Sequence, residues 1–436
     1  MMRSLYSGVS GLKAHQTKMD VIGNNIANVN TVGYKSQRVM FSDLFYQTTQ
    51  SATGPNALTN TGGQNAKQIG LGAQLSSIST DITGEGGTQS TGNSLDLKIN
   101  GSSFFIIQQG GSKYFTKAGN FTTDEAGNLV TQSGGYVMGY TAARNAQGDY
   151  TLQTDQLRPL SFRGNEYLNT APAQTTGATF TGNINPSDEE FSANGSGQIT
   201  RLINVYDNLG NLYSIQMAIT KTDATHYVMS ATGKVFSGNT EITGTELSAA
   251  GNITMEFDGT NGVLTGTDSF DITMSGTASA PFISNINVDV SGVTIYGSET
   301  NIDSSRGVDG AGAGKPVGTM TSAGIDTSGN IVASYDNGDN VIIGQIAVAT
   351  FTNPSGLEKA GNNLFSATLN SGDFNGIGQT INSLGEDLST GVVEMSNVDL
   401  ASEFTDMIVT QRGFQANSRI ITTSDTMLDE LLSLKR

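Results

Sequence analysis

The chain has no cysteine, no tryptophan, two histidines and only 7 prolines in 436 residues. Without cysteine it has no disulfides, no thiol catalysis and no cysteine metal site. His15 and His226 are too few and too far apart in sequence to suggest a histidine-based metal site. Charge is scarce too, at 14% of residues against a usual figure of about 25%. What charge there is leans acidic, to a net −17. A chain without a basic domain is a poor nucleic-acid binder, because neutralising phosphates takes clustered Lys and Arg. No apolar run approaches the ~20 residues that span a bilayer. The longest, Val341 to Phe351, carries Gln345 and reads as a buried strand. The N-terminus has no basic region followed by an apolar core, so no cleavable secretory signal is expected.

Glycine, by contrast, supplies 55 residues, close to double the usual ~7%. The 36% of hydrophobic residues still allows real cores, and the length suits about three domains at ~150 residues each. Polar, uncharged and glycine-rich, this is the composition of many short strands and turns.

The two ends differ from the middle. Leu5, Val9, Leu12, Met19 and Ile26 follow one another in steps of three and four, with Gln16 and Gly23 filling the gaps. That heptad spacing lays a stripe along one helix face, and Ile22 and Val29 widen it. The C-terminus repeats the pattern through Leu400, Phe404, Met407, Phe414, Ile421, Leu428 and Leu432. A second line of Ile408, Ile420, Met427, Leu431 and Leu434 leaves this helix apolar over much of its circumference, more than one partner helix could cover. Two readings follow: two helices packed within one domain, or terminal helices that pair and then pack against other copies. Residues 1–40 carry +4 and residues 395–436 carry −2 of the total −17, leaving −19 between them. Opposite signs favour docking of the ends, although exposed ion pairs are individually weak, at ~0–1 kcal/mol.

Between the ends the period changes to two. Leu95, Leu97 and Ile99 alternate with Asp96 and Lys98, and Phe104 to Ile107 is a short continuous apolar run. Tyr213, Ile215, Met217 and Ile219 alternate, as do Ile253, Met255 and Phe257, and Phe270, Ile272 and Met274. Turn-forming Asp, Asn and Gly separate such strands at 124–128, 207–211, 326–330 and 336–339. The expected fold is mainly β with terminal α-helices. Paired helices span 1–32 and 396–436, and an extended connector spans 33–90, with only a weak strand signal at Ile69, Leu71, Leu75, Ile78 and Ile82. A discontinuous β-domain takes 91–150 and 286–395, with a second β-domain, 151–285, inserted in it.

Candidate chemistry is thin. The Gly310–Pro316 run looks like a phosphate loop but has Asp309 where the first glycine belongs and Pro316 where the magnesium-binding hydroxyl belongs. The Asp-rich turns lack the full spacing of a calcium loop with its closing glutamate. Neither histidine has a partner constellation, and Glu189-Glu190 sits in a polar loop. No enzyme, cofactor or metal is expected.

The sharpest local signal is Asn24-Asn25-Ile26-Ala27-Asn28-Val29-Asn30-Thr31-Val32-Gly33-Tyr34-Lys35. Four Asn are poor helix-interior residues and good turn formers, so the run reads as a helix end, with Gly33 free to take an unusual backbone angle. The run, with Ser10-Gly11-Leu12 before it, resembles the N-terminal motif of the bacterial flagellar rod and hook axial proteins. Ser396-Asn397-Val398-Asp399-Leu400, then Gln411-Arg412 and Phe414-Gln415-Ala416-Asn417, resemble the family's other end. Asn353-Pro354 with Gly361 to Phe365, and Gly101 to Phe105 with Ala118 to Phe121, look like two further blocks. The resemblance covers about 1–140 and 290–436. Tyr34 stands where Phe is common.

The resemblance implies a structural subunit that polymerises with itself into a curved, flexible helical tube. Its length is that of the hook branch, the rod branch being shorter; a distal rod or other axial protein with an enlarged outer domain is the alternative, and a β-rich surface adhesin a remote one. It further implies an inner tube domain of paired helices, with β-domains outside. The implied partners are the distal rod protein, the hook cap, the hook–filament junction protein and the flagellar type III export apparatus, without nucleic acid or membrane insertion. The implied place is extracellular, in the flagellar hook and basal body. Some relatives cross-link subunits through a cysteine, chemistry this chain lacks. Apolar terminal faces costly in water, at ~25 cal/mol per Å², are expected to order only on assembly.

Overall fold

Helix α1 spans Met2–Ala27 and α2 spans Leu400–Ser433, antiparallel and packed together. The computed structural model describes residues 2–55, 62–145, 149–191, 197–242, 248–275 and 285–434. Both helices are shorter than the terminal spans expected. Residues 28–33 form turns, and Asp399 caps α2 by accepting a hydrogen bond from the Ala401 N–H at 2.9 Å.

The stretch expected as an extended connector is a two-stranded arm. Strand β1 (Gln37–Asp43) pairs antiparallel with β4 (Ala73–Thr80), and β2 (Tyr46–Gln50) pairs with β3 (Lys67–Gly70). Its side chains are largely exposed, which is why its alternation was faint: an arm that buries neither face needs no apolar side.

The first β-unit is a sheet whose central strands are Tyr136–Arg144, Phe104–Gln109 and Asn340–Ala349. The continuous apolar runs are explained by two cores, one on each face. Phe104 and Ile106 point into one with Phe115 and Phe365, while Phe105 and Ile107 point into the other with Phe121 and Leu129. Strand Tyr150–Pro159 and the buried Phe162 and Tyr167 also belong here, so this unit extends past residue 150.

The second β-unit packs two five-stranded sheets over one core in which Ile215, Met217, Ile219, Met255 and Ile272 are buried, the alternation expected of half-buried strands. It includes the strands Asn285–Thr294 and Asp303–Arg306, so it closes later than residue 285. The two units are joined by a hydrogen-bonded ribbon. Thr170 N–H donates to Gly318 O at 2.9 Å, and Ala173 and Lys315 exchange backbone bonds at 3.0 and 2.8 Å. The glycine run at 310–316 therefore belongs to a turn and this ribbon. The three Asp–Asn turns share one geometry: Asp124, Asp207 and Asp326 each accept the backbone N–H and the side-chain amide of the Asn four residues on.

Candidate assembly site

The helices pair with only part of the apolar stripes between them. They meet through small residues. A methyl group at Gly11 would lie 2.8 Å from the Asn417 amide, and one at Gly413 2.7 Å from the His15 ring. Gly8 faces Ile421, and Ala14, Thr410 and Ser424 are buried. Only Ile22 of the expected seam is fully buried; Leu5, Leu12, Met19, Ile26, Met407, Phe414, Ile421 and Leu428 are half-buried. Val9, Leu400, Phe404 (50% exposed) and Leu432 (68% exposed) face solvent, as do Ile408, Ile420, Met427, Leu431 and Leu434. The charge difference between the ends is expressed in one ion pair, Lys18 Nζ to Asp406 Oδ1 at 3.2 Å.

Both motifs converge at the foot of the helix pair. Asn25, fully buried, donates to Gln37 O at 2.8 Å and to Glu403 Oε1 at 2.9 Å. Its Oδ1 accepts from Gln37 N–H at 3.0 Å and from the Tyr34 hydroxyl at 3.2 Å. Asn24 Nδ2 donates to the same hydroxyl, and Asn28 donates back to Asn24 O and accepts from Thr31. Ala27 and Asn30 are exposed. Gly33 takes φ +68°, and a methyl group there would lie 2.7 Å from Ala118 N. From the other end, Asn397 Oδ1 accepts from Ser36 N–H at 2.7 Å while its amide donates to Asp81 O. Ser396 Oγ accepts from Val398 N–H, and Val398 itself is half-buried. Gln411 and Arg412 lie outside this knot, on α2.

Beneath the knot lies an ionic cluster of which the motif names only Lys35. Lys35 Nζ meets Glu394 Oε1 at 2.8 Å and donates to Gly84 O at 2.7 Å; the same Glu394 oxygen accepts from Gly86 N–H. Lys117 is buried close by, donating to Gly101 O at 2.5 Å with its ammonium 5.3 Å from the Phe104 ring centroid. Burial lowers its pKa to about 8 against the attraction of Glu394, with Lys35 lowering it further and Glu386 and Glu85 opposing. Burial raises the Glu403 carboxyl, partly offset by its bond from Asn25. Sequence reasoning missed Glu394 and Lys117, whose only signal is a charged residue set among strand residues.

His15 packs edge-on to Phe41, its pKa lowered by burial and by Lys18. His226 pairs with Asp223 at 2.8 Å on the second unit. Among the described residues no helix is long and apolar enough to cross a membrane, and no cluster of His, Asp or Glu could hold a metal ion.

Four family models match in chain order. They are flagella basal body rod protein over 5–35, the flagellar hook protein FlgE/F/G D1 domain over 98–237, the flagellar basal body protein FlaE D2 domain over 168–310, and the flagellar basal body rod FlgEFG protein C-terminal over 389–434. The chain is 37% identical to the flagellar hook protein FlgE of Borreliella burgdorferi and 36% identical to that of Treponema pallidum, over the whole of both chains in each case. The chain belongs to the flagellar hook protein family. As a hook protein it is a structural subunit of the flagellar hook. The flagellar basal-body rod protein FlgG of Bacillus subtilis also aligns end to end, at 32%. Rod and hook proteins therefore share these ends, and the two hook proteins named above are more similar to this chain than that rod protein is. A crystal structure of Helicobacter pylori flagellar hook protein FlgE2 overlaps 69% of this chain and 98% of its own at 13% identity, with a TM-score of 0.37 too low to bear on the fold.

Proposed function

We propose that the paired helices form the inner wall of the hook tube and that the exposed apolar residues of α2 make the contacts between copies. The observation that carries this is that Phe404, Ile408, Met427, Leu431 and Leu432 of α2 all face solvent, beyond what α1 covers. Clustered exposed apolar side chains mark interaction surfaces. On this reading Leu400, Phe404, Met407, Phe414, Ile421, Leu428 and Leu432, with Leu5, Val9, Leu12, Met19, Ile22 and Ile26, are assembly residues, and the two β-units lie outside them. The tube is curved and flexible and carries torque from rod to filament, work that is structural rather than catalytic. The subunit is exported through the flagellar type III apparatus. It is added beneath a cap onto the distal rod, outside the cell, and is followed by a junction protein.

The test is immunogold electron microscopy of intact flagella with antibody to residues 150–285. Label on a short curved segment between cell body and filament supports the reading, and label confined to isolated rods overturns it in favour of an enlarged rod protein. Phe404→Asp with Ile408→Asp separates the wall contacts from the identity: the monomer folds and the polymer fails.

A further inference from the structure

Among the described residues, Leu369 is the most exposed large apolar side chain, at 99%, yet its loop is rigidly built. Thr368 N–H donates to Ser371 Oγ at 2.9 Å, and Ser371 returns its hydroxyl proton to Thr368 O at 2.8 Å. Thr368 Oγ1 donates to Gly356 O at 2.6 Å, and Asn353 Nδ2 donates to Asn370 O at 3.0 Å. Ser371 is fully buried. A floppy loop could fold its leucine away. This one holds it out, with the ordering entropy of a contact already spent.

A socket for such a knob lies between α1 and the arm. Tyr6, Val9, Lys13, Leu44, Phe45 and Leu71 line an open, mostly apolar pocket of about 420 Å³ there. Val9 lies 18 residues from the foot of α1 at Ala27, about 27 Å at 1.5 Å per residue. The first β-unit, which carries Leu369, joins the helices at that foot, where Asn363 donates to Val32 O and Lys359 to Lys35 O. Knob and socket of one chain are therefore kept apart. Their charges are complementary: the one charged residue of the 366–378 loop is Asp373, and the one charged residue of the pocket lining is Lys13.

We infer that Leu369 of one copy docks into the Tyr6–Val9–Phe45–Leu71 pocket of a second copy of this chain, with Asp373 facing Lys13 at the rim. Two different surfaces joined in this way make a head-to-tail contact that repeats without closing, the kind a helical tube requires. The contact rests on the self-assembly of the hook family but is separate from the α2 stripe.

The absence of cysteine makes the test clean. Full-length chain carrying Leu369→Cys with Phe45→Cys is polymerised and oxidised. The expected result is a ladder of covalently linked chains in the polymer, absent from either single variant and from Leu369→Cys with Leu209→Cys. Leu369→Ala, which removes no contact within the chain, leaves the melting temperature unchanged and raises the critical concentration for polymerisation roughly tenfold. Lys13→Glu and Asp373→Lys each weaken polymerisation, and the double reversal restores it. Polymers that form with no ladder from the Leu369→Cys, Phe45→Cys double variant overturn the inference, as does an unchanged critical concentration for Leu369→Ala. Loss of polymerisation in Phe404→Asp alone bears on the α2 stripe and leaves this contact standing.

Discussion

Lys35 and Glu394 lie 2.8 Å apart with 1% of either side chain exposed, closing a span of 359 residues. The pair ties the end of the N-terminal motif to the strand that leads into α2. Lys35 also takes Gly84 O, and Glu394 also takes Gly86 N–H, so both charges are hydrogen-bonded as well as paired. The pair adds a buried ionic link to the contacts that Asn363 and Lys359 of the first β-unit make with Val32 and Lys35.

Such a pair is costly to halve. Lys35→Met or Glu394→Gln alone leaves an uncompensated buried group, and each is expected to cost roughly 3–5 kcal/mol. Lys35→Met with Glu394→Leu is expected to recover most of that loss. Thermal unfolding of the wild type and these variants measures the coupling, and additive single effects would show that the two charges act independently.

Lys117 gives the junction a pH dependence. Burial holds its pKa at about 8, below its ordinary 10.5, so the native state releases this proton first. Between pH 8 and pH 10.5 the unfolded chain binds more protons, and stability rises with pH by up to about 1.4 kcal/mol per unit. Below pH 8 the lysine is charged in both states and the cost of burying it is felt in full. Tyr335, raised to about 12 by burial, works in the opposite direction from about pH 10 and closes the usable window there. Wild type is expected to gain melting temperature from pH 8 to 9.5 relative to Lys117→Met; parallel curves would remove Lys117 as the cause.

The helix pair rests on missing side chains. A Cβ at Gly413 would lie 2.7 Å from both Cε1 and Nε2 of His15. Gly413→Val is expected to push α1 away at a cost of about 1–3 kcal/mol. Circular dichroism should show helix lost while near-ultraviolet signals of the β-units persist. Gly23→Val, with open space around it, is the control that carries only the helix-propensity change.

What was legible in the sequence follows from where the physics is local. Heptad spacing announced both helices, and period-two runs announced strands such as Leu212–Lys221, because burial on one side imposes a period. Which helix face meets which could not be read. The closest contacts are made at Gly8, Gly11, Thr410, Gly413 and Ser424, which carry no hydrophobic signal, and the conspicuous stripe is only partly covered, with Val9, Leu400, Phe404 and Leu432 left to solvent. Likewise the motif flagged Lys35, but a partner 359 residues away has no spacing to betray it. The arm gives only a weak strand signal for the opposite reason, since strands exposed on both faces need no alternation.

The same small-residue seam sets the order of the free subunit. With Ile22 its one fully buried large apolar side chain among the stripe residues, the helix pair has less of the ~25 cal/mol per Å² that orders the β-units. Their cores hold Phe104, Phe105, Phe115, Tyr227 and Phe180 almost entirely out of solvent. In a dilute monomer, amides of Met2–Ala27 and Leu400–Ser433 are expected to exchange orders of magnitude faster than those of Phe104–Gln109 or Leu212–Lys221. On polymerisation, when Phe404, Ile408 and Leu432 gain neighbours, the helices should become protected while the β-units change little. Helices already protected in the monomer would show that the seam alone suffices, and that assembly adds contacts without adding order.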